Sequence, residues 1–411
     1  MKTIAPFARP VYVMLKPAGS RCNLACSYCY YLEKSRLYEK KERMMLSDEL
    51  LERFVRQYID MQTTAEVLFV WHGGEPMLQP MAFYQKALAY QRMYACGRRI
   101  DNCIQTNGTL LTDEWCEFFS KNHFLVGVSI DGPKDYHDQY RRTQAGGPSW
   151  DAVVKGISLL EKHGVEWNAL ATVNRSNVGH PLETYRFFKD IGCRYLQFTP
   201  VVERKTIRSD GLGLTPGLRR WASDVPSALE SLTDESLLPG QWGDFICAVY
   251  DEWVRRDVGR VFVQLFDGTL ANWSGMEPGL CTLAATCGHA AAMEFNGDVY
   301  ACDHFVFPEY KLGNIRNLTL SEMMYGDRQT AFATLKQASL PRQCHECRWL
   351  SVCHGECPKN RFLKDCYGET GLNWLCGDYQ RYFAHVSDDM EFMKNEFEAG
   401  RAPANIMKRG L

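Results

Sequence analysis

The sequence Cys22-Asn-Leu-Ala-Cys26-Ser-Tyr-Cys29 places three thiols within eight residues, separated by three and then by two residues. A loop this short can bring three thiolates to three corners of one cubane iron–sulfur cluster, and thiolate is the soft donor that such a cluster needs. Because the loop supplies no fourth thiol, one iron keeps an open coordination position. A structural zinc site is the alternative, but it needs four ligands, usually as two separated C-x₂-C pairs. The spacing therefore favours a redox cluster.

Strand and helix alternate around this loop from residue 11 to about residue 200. Six β/α units with mostly apolar strands predict a parallel sheet covered by helices, that is, a partial (β/α)6 TIM-like barrel. Polar or glycine-rich stretches follow the strands, at the carboxyl ends where parallel α/β proteins keep their chemistry. The predicted strands lie at 11–15, 67–71, 102–106, 125–130, 167–173 and 195–198.

The second half of the chain departs from this alternation. Residues 203–240 are polar and rich in Gly, Ser and Pro, which predicts a linker or surface insertion. A helix is expected at 241–257 and a strand at 261–266, and nine cysteines follow within 281–376. The predicted domains are the partial barrel at 1–203, the insertion with a bridging helix and strand at 204–275, a cysteine-rich domain at 276–380 and a helical tail at 381–411.

Composition narrows the class of protein and its partners. A chain of 411 residues with 45% hydrophobic and 23% charged residues is an ordinary globular protein, long enough for two domains. Its net charge of −2 gives no reason to expect nucleic acid or a membrane surface as partner. No apolar run reaches the roughly 18 residues of a membrane span, and Pro6, Arg9 and Pro10 interrupt any export signal. Seventeen cysteines then indicate metal or redox chemistry in a reducing cytoplasm. We expect a monomer.

The cluster loop resembles the C-x₃-C-x₂-C signature of the radical S-adenosylmethionine (SAM) enzymes, and Gly73-Gly-Glu-Pro76 resembles the motif after their second strand. The resemblance implies that SAM binds the open iron and that its reductive cleavage yields a 5′-deoxyadenosyl radical. It also implies five SAM contacts. Tyr28 and Val202 would lie near the adenine, and the backbone at Gly74 would receive the ammonium. Ser129 and Arg141 would hold the carboxylate.

From the sequence alone, purely structural roles remain possible for these residues. Tyr28 and Val202 could be core residues, and Arg141 could be a surface arginine beside Arg142. His72, which precedes the glycine pair, fits loop packing as well as substrate contact, and Tyr31 is a second candidate for substrate contact.

The run C-x₂-C-x₅-C-x₃-C at 344–357 resembles the SPASM domain, which binds two auxiliary [4Fe–4S] clusters. The resemblance implies interleaved ligand sets, with three clusters in the whole chain. The spacing alone does not show this pairing, and Cys366 rivals Cys376 as the last ligand. A zinc site would account for four cysteines and leave four others unexplained. One implied set is Cys281, Cys287, Cys302 and Cys357, and the other is Cys344, Cys347, Cys353 and Cys376.

From Lys16 to the last cysteine the chain resembles the anaerobic sulfatase-maturating enzymes. Six stretches carry the resemblance: 22–31, 73–76, 105–109, 129–133, 295–303 and 312–315. The resemblance implies oxidation of a Cys or Ser in a Cys/Ser-x-Pro/Ala-x-Arg motif of a sulfatase to Cα-formylglycine, by removal of a Cβ hydrogen. A flavodoxin- or ferredoxin-type protein is the implied reductant. The sequence does not distinguish Cys-type from Ser-type substrates.

Asp303, which follows Cys302, is implied by the resemblance to be the general base for the substrate thiol or hydroxyl. An aspartate suits this role if partial burial raises its pKa toward neutrality. Two other assignments remain: Asp303 could instead hydrogen-bond a cluster sulfur or the backbone, and His304 is a weaker candidate for the base.

Two alternative functions compete with sulfatase maturation. Another SPASM peptide maturase, forming thioether or carbon–carbon crosslinks, shares almost every feature described above. A non-enzymatic electron carrier or zinc adaptor would not cleave SAM and would not need Gly73-Gly-Glu after the second strand.

Overall fold

The computed structural model describes residues 11–38, 44–205, 232–288 and 290–409. The predicted insertion falls largely on 206–231 and so lies outside the described residues. The described strands are β1 Tyr12–Lys16, β2 Glu66–Trp71, β3 Arg99–Thr106, β4 Phe124–Ser129, β5 Trp167–Val173, β6 Tyr195–Pro200, β7 Phe262–Val263, β8 Ala290–Glu294, β9 Asp298–Tyr300, β10 Lys311–Asn314, β11 Arg361–Lys364 and β12 Thr370–Asn373.

Helices cover the strands, and their first turns follow the polar caps that the sequence offers. Ser47 and Thr112 accept hydrogen bonds from the backbone N–H groups of Leu50 and Trp115, which starts the first and third helices. The described α-helices are α1 Asp48–Met61, α2 Met81–Tyr94, α3 Asp113–Lys121, α4 Lys134–Tyr140, α5 Trp150–Lys162, α6 Pro181–Asp190, α7 Gln241–Arg256, α8 Gln264–Trp273, α9 Leu320–Met324, α10 Asp327–Ala338, α11 Arg342–His345, α12 Leu350–Cys353 and α13 Cys376–Glu398.

One sheet joins the two halves of the chain. Its ten strands run in the order β10-β9-β8-β1-β2-β3-β4-β5-β6-β7, and β11 and β12 form a separate hairpin. The six strands β1 to β6 are parallel neighbours in chain order, which confirms the predicted partial (β/α)6 barrel. The strands β8, β9 and β10 extend the sheet from the cysteine-rich half.

The pairing of β1 with β8 sets the position of the site. The two strands are parallel over five residues, from Tyr12 opposite Ala290 to Lys16 opposite Glu294. Lys16 and Glu294 are both fully buried. The register therefore brings two charged side chains from distant parts of the sequence to one sheet edge, close to the cluster loop.

Two elements differ from the sequence prediction. The expected strand at 261–266 is only two residues long, and α8 begins at Gln264, because a short apolar run is compatible with a strand and with a buried helix. Helix α13 starts at Cys376 and continues to Glu398, so the predicted boundary at 380 falls inside one helix. In the part of the chain that the structure describes, none of the helices combines the length and apolarity needed to cross a membrane.

Candidate active site

The cluster loop leaves β1 and packs against the segment after α4. The backbone N–H groups of Ala25 and Ser27 donate to the carbonyls of Arg142 and Tyr140 at 2.7 and 3.2 Å. Asn107, after β3, donates to the Cys22 sulfur at 3.6 Å. The loop is therefore held from two sides, with its three thiols facing one space.

The three predicted thiols lie close together, and their surroundings fit a cluster. Burial raises the pKa of Cys22 to about 11 and of Cys26 to about 12, and the charge of Cys29 raises both further. The charge of Arg141 lowers the pKa of Cys26, so a cation lies close enough to this thiol to stabilise an anionic group there. Among the described residues no three His, Cys, Asp or Glu side chains converge tightly enough for a single ion. Three thiols from one short loop, beside a buried cation, match the ligand set of a cubane cluster with one open iron.

A cavity of about 440 Å³ opens beside this loop. Tyr28 and Val202, two predicted SAM contacts, line it together with Cys26 and Cys29. Lys359, from the cysteine-rich half, closes the far side by donating to the Val202 carbonyl at 2.8 Å and pairing with Glu203 at 2.6 Å. The remaining predicted contacts, Gly74, Ser129 and Arg141, are not among the described residues that line this cavity.

Arg141 is buried, which excludes a surface role for it. Its Nε lies 3.0 Å from Asp131 Oδ1, and the Tyr28 hydroxyl donates to Asp131 Oδ2 at 2.5 Å. The Arg141 guanidinium also lies 5.5 Å from the centre of the Tyr28 ring. Asp131 thus fixes two predicted SAM contacts at once, and the sequence analysis did not identify it as a site residue.

Gly74 is a point of close approach between two backbone segments. A Cβ atom there would lie 2.2 Å from the Arg21 carbonyl oxygen, and the Gly74 N–H donates to the Gly19 carbonyl at 2.8 Å. The neighbouring Glu75 is buried, which raises its pKa to about 7, and its carboxylate accepts the Asn107 N–H at 2.8 Å. The glycine pair therefore ties the start of the cluster loop to the ends of β2 and β3.

Ser129, at the end of β4, accepts a hydrogen bond from Gln105 on the neighbouring strand β3, with 3.1 Å between Nε2 and Oγ. This contact orients the hydroxyl at the carboxyl edge of the sheet. The structure thus places Ser129 at that edge, as the sequence predicts.

Asp303 is buried beside the end of β1 and forms an ion pair with Lys16. The Tyr30 hydroxyl donates to its second carboxylate oxygen. The expectation that burial raises the pKa of Asp303 toward neutrality is wrong. Burial is the largest single influence and raises that pKa, but the Lys16 ammonium together with the His72 and His304 rings outweighs burial and holds the pKa well below its usual range. Asp303 is therefore an ionised, weakly basic carboxylate.

Three aromatic or imidazole side chains surround this ion pair. The Lys16 ammonium lies 3.4 Å from the centre of the Tyr31 ring, and the Tyr31 hydroxyl donates to Glu294. Burial lowers the pKa of His304 to about 4 and also lowers that of His72, so both rings are neutral at pH 7. A neutral His304 could accept a proton, but Asp303 carries the charge at this site.

Lys16 and Glu294 are site residues that the sequence analysis missed. A signal was present, because each is a lone charged residue at the end of an apolar strand. Such a residue is buried only with a partner. Their partners could not be read from the sequence, since Lys16 lies 287 residues from Asp303 and Glu294 lies 263 residues from Tyr31.

The eight predicted auxiliary ligands form two separate groups. The first thiol set comprises Cys281, Cys287, Cys302 and Cys357, and the second thiol set comprises Cys344, Cys347, Cys353 and Cys376. The thiols of the first set lie near one another, because the charge of Cys281 raises the pKa of Cys287, Cys302 and Cys357, beyond the larger effect of burial. The second thiol set lines one small apolar cavity under Trp349 and Phe383. Cys366 is exposed and is not among the described residues that line that cavity.

Five further cysteines lie outside the three groups, and most of them are core residues. Cys116, Cys193 and Cys247 are buried, Cys103 is half-buried and Cys96 is exposed.

Comparison with known proteins identifies the family. The radical SAM superfamily model matches residues 17–188, and the SPASM iron–sulfur cluster-binding domain model matches residues 287–348. A serine-type anaerobic sulfatase-maturating enzyme of Bacteroides thetaiotaomicron is 58% identical over 99% of this chain and 96% of its own length. The chain belongs to the anaerobic sulfatase-maturating enzymes. As a member of this radical SAM family it is an enzyme, with SAM and iron–sulfur clusters as cofactors.

More distant members of the family agree with this assignment. A cysteine-type anaerobic sulfatase-maturating enzyme of Clostridium perfringens is 30% identical over 92% of this chain and 96% of its own length. A solved structure described as native anSMEcpe with bound AdoMet superposes with a TM-score of 0.81 at 29% identity, covering 94% of this chain and 100% of that one. Another holds AdoMet and the Cp18Cys peptide, at a TM-score of 0.81. The non-enzymatic electron carrier or zinc adaptor is thereby excluded.

Proposed function

We propose that this chain oxidises the active-site Ser or Cys of a sulfatase, within a Cys/Ser-x-Pro/Ala-x-Arg motif, to Cα-formylglycine without oxygen. The observation that carries the proposal is Asp303. Its carboxylate is buried directly after Cys302 of the first thiol set, pairs with Lys16 and accepts the hydroxyl of Tyr30, which follows the cluster loop. The family membership supplies the substrate class.

The cofactors and this chain's residues divide the work of a two-electron oxidation. When bound, SAM and its cluster supply a 5′-deoxyadenosyl radical, which takes one hydrogen atom from the substrate Cβ. Asp303 accepts the proton of the substrate hydroxyl or thiol, and Lys16 keeps that carboxylate ionised beforehand. Loss of the Cβ hydrogen makes the hydroxyl proton far more acidic, so a weakly basic carboxylate is sufficient. An auxiliary cluster, when bound, would accept the remaining electron. A serine then gives the aldehyde directly, whereas a cysteine gives a thioaldehyde that water would hydrolyse with release of hydrogen sulfide.

The family resemblance assigns the residues that would hold the cofactors, and their positions support that assignment. Cys22, Cys26 and Cys29 would ligate the SAM cluster, and the first and second thiol sets would each hold one auxiliary [4Fe–4S] cluster. Tyr28 and Val202 would contact the adenine, since they line the cavity beside the loop.

The other three predicted residues would bind the amino-acid end of SAM. Arg141 uses its Nε for Asp131, which leaves its terminal nitrogens to bind the SAM carboxylate with Ser129. The backbone at Gly74 would receive the ammonium.

We propose that serine is a substrate residue of this enzyme. Serine-type relatives are 58%, 36% and 35% identical, against 30% for the cysteine-type relatives. A serine hydroxyl is a much weaker acid than a thiol, so serine oxidation needs a base at the site more than cysteine oxidation does. Dependence on Asp303 should therefore be greater for a serine peptide.

The test is an anoxic incubation with dithionite, SAM and two sulfatase peptides that differ only in Ser versus Cys. We expect the serine peptide to lose two hydrogen atoms and gain an aldehyde, as measured by mass spectrometry and hydrazide capture. The variant D303N should still cleave SAM but form at least tenfold less aldehyde.

The matched control is D298N, which removes another buried aspartate carboxylate, one paired with Lys311 at 2.6 Å on β9. It should retain aldehyde formation. Full activity of D303N would remove Asp303 from the mechanism. SAM cleavage by the wild type with no aldehyde on either peptide would overturn sulfatase maturation.

A further inference from the structure

Two buried cations lie between the two auxiliary thiol sets. Lys336, on α10, is fully buried, and Arg361, the first residue of β11, is 6% exposed. A buried cation is costly unless an anion lies nearby. The identity of that anion is the question that these two residues raise.

The polar contacts of Lys336 are all with neutral oxygens. Its ammonium donates to the carbonyls of Cys281, Thr282 and Ala284 at 2.9, 2.8 and 2.5 Å. An ammonium has three N–H donors, so none is left for a carboxylate. All three carbonyls belong to the segment that carries Cys281 toward Cys287.

The guanidinium of Arg361 is likewise used by neutral oxygens. Its Nε donates to the Gly355 carbonyl at 2.8 Å, and Nη2 donates to the carbonyls of His354 and Glu356 at 2.7 and 3.0 Å. Its Nη1 donates to the backbone carbonyl of Lys336 at 2.5 Å, which places the guanidinium against the backbone of the other cation.

Arg361 holds a strained loop. His354, Gly355 and Glu356 all adopt positive φ, of 48°, 69° and 56°. A left-handed conformation is unfavourable for a residue other than glycine. All three carbonyls point at Arg361, which acts as a template for the loop. This loop joins Cys353 of the second thiol set to Cys357 of the first.

Glu356 and two thiols of the first set act on both cations. Glu356 is buried and accepts hydrogen bonds from Asn360 and Asn373 at 3.3 and 2.7 Å. Its charge and those of Cys287 and Cys357 raise the pKa of Lys336 and of Arg361 against the larger, opposite effect of burial. The two cations therefore lie next to the first thiol set.

The positive charges of Lys336 and Arg361 affect the pKa values of thiols in both sets. Burial raises the pKa of Cys281 and Cys287, and the Lys336 charge lowers it again. Burial also raises the pKa of Cys344, and the Arg361 charge lowers it. The two cations thus reach thiols of both sets.

We propose that Lys336 and Arg361 form a cationic bridge between the two auxiliary clusters, which raises their reduction potentials and so makes them acceptors for the substrate electron. The inference rests on the proposed function for the source of that electron. One electron enters an auxiliary cluster, its iron is reduced and the cluster gains one negative charge. A fixed cation nearby stabilises the reduced cluster more than the oxidised one.

The test is a potentiometric titration monitored by EPR, without peptide, on the full chain with Cys22, Cys26 and Cys29 changed to Ala so that only auxiliary clusters are reduced. K336M removes one buried charge and keeps the length of the side chain. We expect at least a tenfold fall in the equilibrium constant for reduction of one cluster, which is about 59 mV for a one-electron couple.

Three companion variants make the result specific. K336R keeps the charge and should stay close to the unmodified chain. K364M removes an exposed charge from the same strand as Arg361 and should shift neither potential, since water screens it. E356Q removes the buried anion and keeps an acceptor for Asn373, so it should raise the reduction constant.

The outcomes separate this inference from the proposed function. Unchanged potentials in both K336M and E356Q, with iron content retained, overturn the cationic bridge. If K336M loses iron, an absent upward shift in E356Q alone overturns it. Failure of the unmodified enzyme to oxidise either peptide would instead overturn the proposed function and leave the measured potentials intact.

Discussion

At the scale of single residues, Lys16 and Asp303 show how a buried charge sets the chemistry of its neighbour. Lys16 ends β1 with no exposure, and its ammonium contacts the Asp303 carboxylate and the Tyr31 ring. An aspartate buried at this depth without a cation would be protonated and could not accept a proton. The ion pair therefore provides an ionised base in a site from which water is largely excluded.

Replacing Lys16 by Met should leave Asp303 as an uncompensated buried carboxylate. We expect a loss of about 3–5 kcal/mol in the free energy of unfolding, because one partner of a buried pair is removed. Aldehyde formation should fall at least tenfold while SAM cleavage continues. Anoxic urea unfolding and mass spectrometry of the peptide measure the two effects.

The control for this variant is K311M, which breaks the half-exposed pair with Asp298. It should cost less than about 1 kcal/mol and leave the product yield unchanged. A K16M enzyme as stable and as active as the control would contradict the role given to Lys16.

At the scale of elements, the turns after the strands position the site. The turn after β2 approaches the start of the cluster loop so closely at Gly74 that no side chain fits between them. The turns after β1 and β2 are therefore packed directly against each other at this point.

Replacing Gly74 by Ala should push the two turns apart. The added Cβ would lie 2.2 Å from the Arg21 carbonyl oxygen, a backbone atom that cannot rotate away. We expect a loss of at least about 2 kcal/mol in stability and weaker binding of SAM, since overpacking shifts the backbone. Thermal unfolding and SAM affinity measure these effects.

Gly179→Ala is the matched control, because its added Cβ would meet no atom within 4 Å. It should be neutral or slightly stabilising. Equal SAM affinities for the two variants would show that the turn tolerates displacement.

A charge network links α6 to α7 and should make stability depend on pH. Arg186 and Lys189 on α6 pair with Glu252 on α7 at 2.6 and 3.1 Å. The hydrogen bond from Arg186 lowers the pKa of Glu252 to about 2. A lowered carboxylate pKa stabilises the folded state above the unfolded pKa of about 4.5, and that stabilisation is lost as the pH falls toward 2.

The variant E252Q should therefore be less stable than the wild type by about 1 kcal/mol at pH 7, with a smaller difference at pH 3.5. Urea unfolding of both metal-free proteins at the two pH values measures the gap. A gap that is the same at both pH values would assign the stabilisation to hydrogen bonding without charge.

At the scale of the whole molecule, one sheet joins the radical SAM half to the cysteine-rich half. The pairing of β1 with β8 places the cluster loop, Asp303 and the first thiol set around a common space. Under the proposed function, an electron from the substrate would pass to a cluster held by the first thiol set, which the loop after Cys353 joins to the second.

Iron content tests this arrangement. We expect about twelve irons per reconstituted chain, four for each of three clusters. The variant C376A should hold about eight, because Cys376 lines the cavity of the second thiol set. C366A should still hold about twelve, because Cys366 is exposed. The opposite result would exchange the roles of these two cysteines.

Much of this architecture could be predicted from the sequence because its signals are local. The C-x₃-C-x₂-C loop, the glycine pair after β2 and the alternation of apolar strands with capped helices all lie within short stretches of chain. Spacing decides which thiols a loop can bring together, and side-chain period decides which segments form buried strands. The sequence by itself therefore determined the family, the partial barrel and the residues of the cluster loop.

Only the tertiary structure decided which distant groups meet. It paired Lys16 with Asp303, gathered eight cysteines into two sets and placed Arg361 over the loop between them. Such contacts depend on strand register and on a buried charge finding its counter-charge across hundreds of residues. The free energy of a buried ion pair depends on the environment that both partners share, and that environment exists only after the chain has folded.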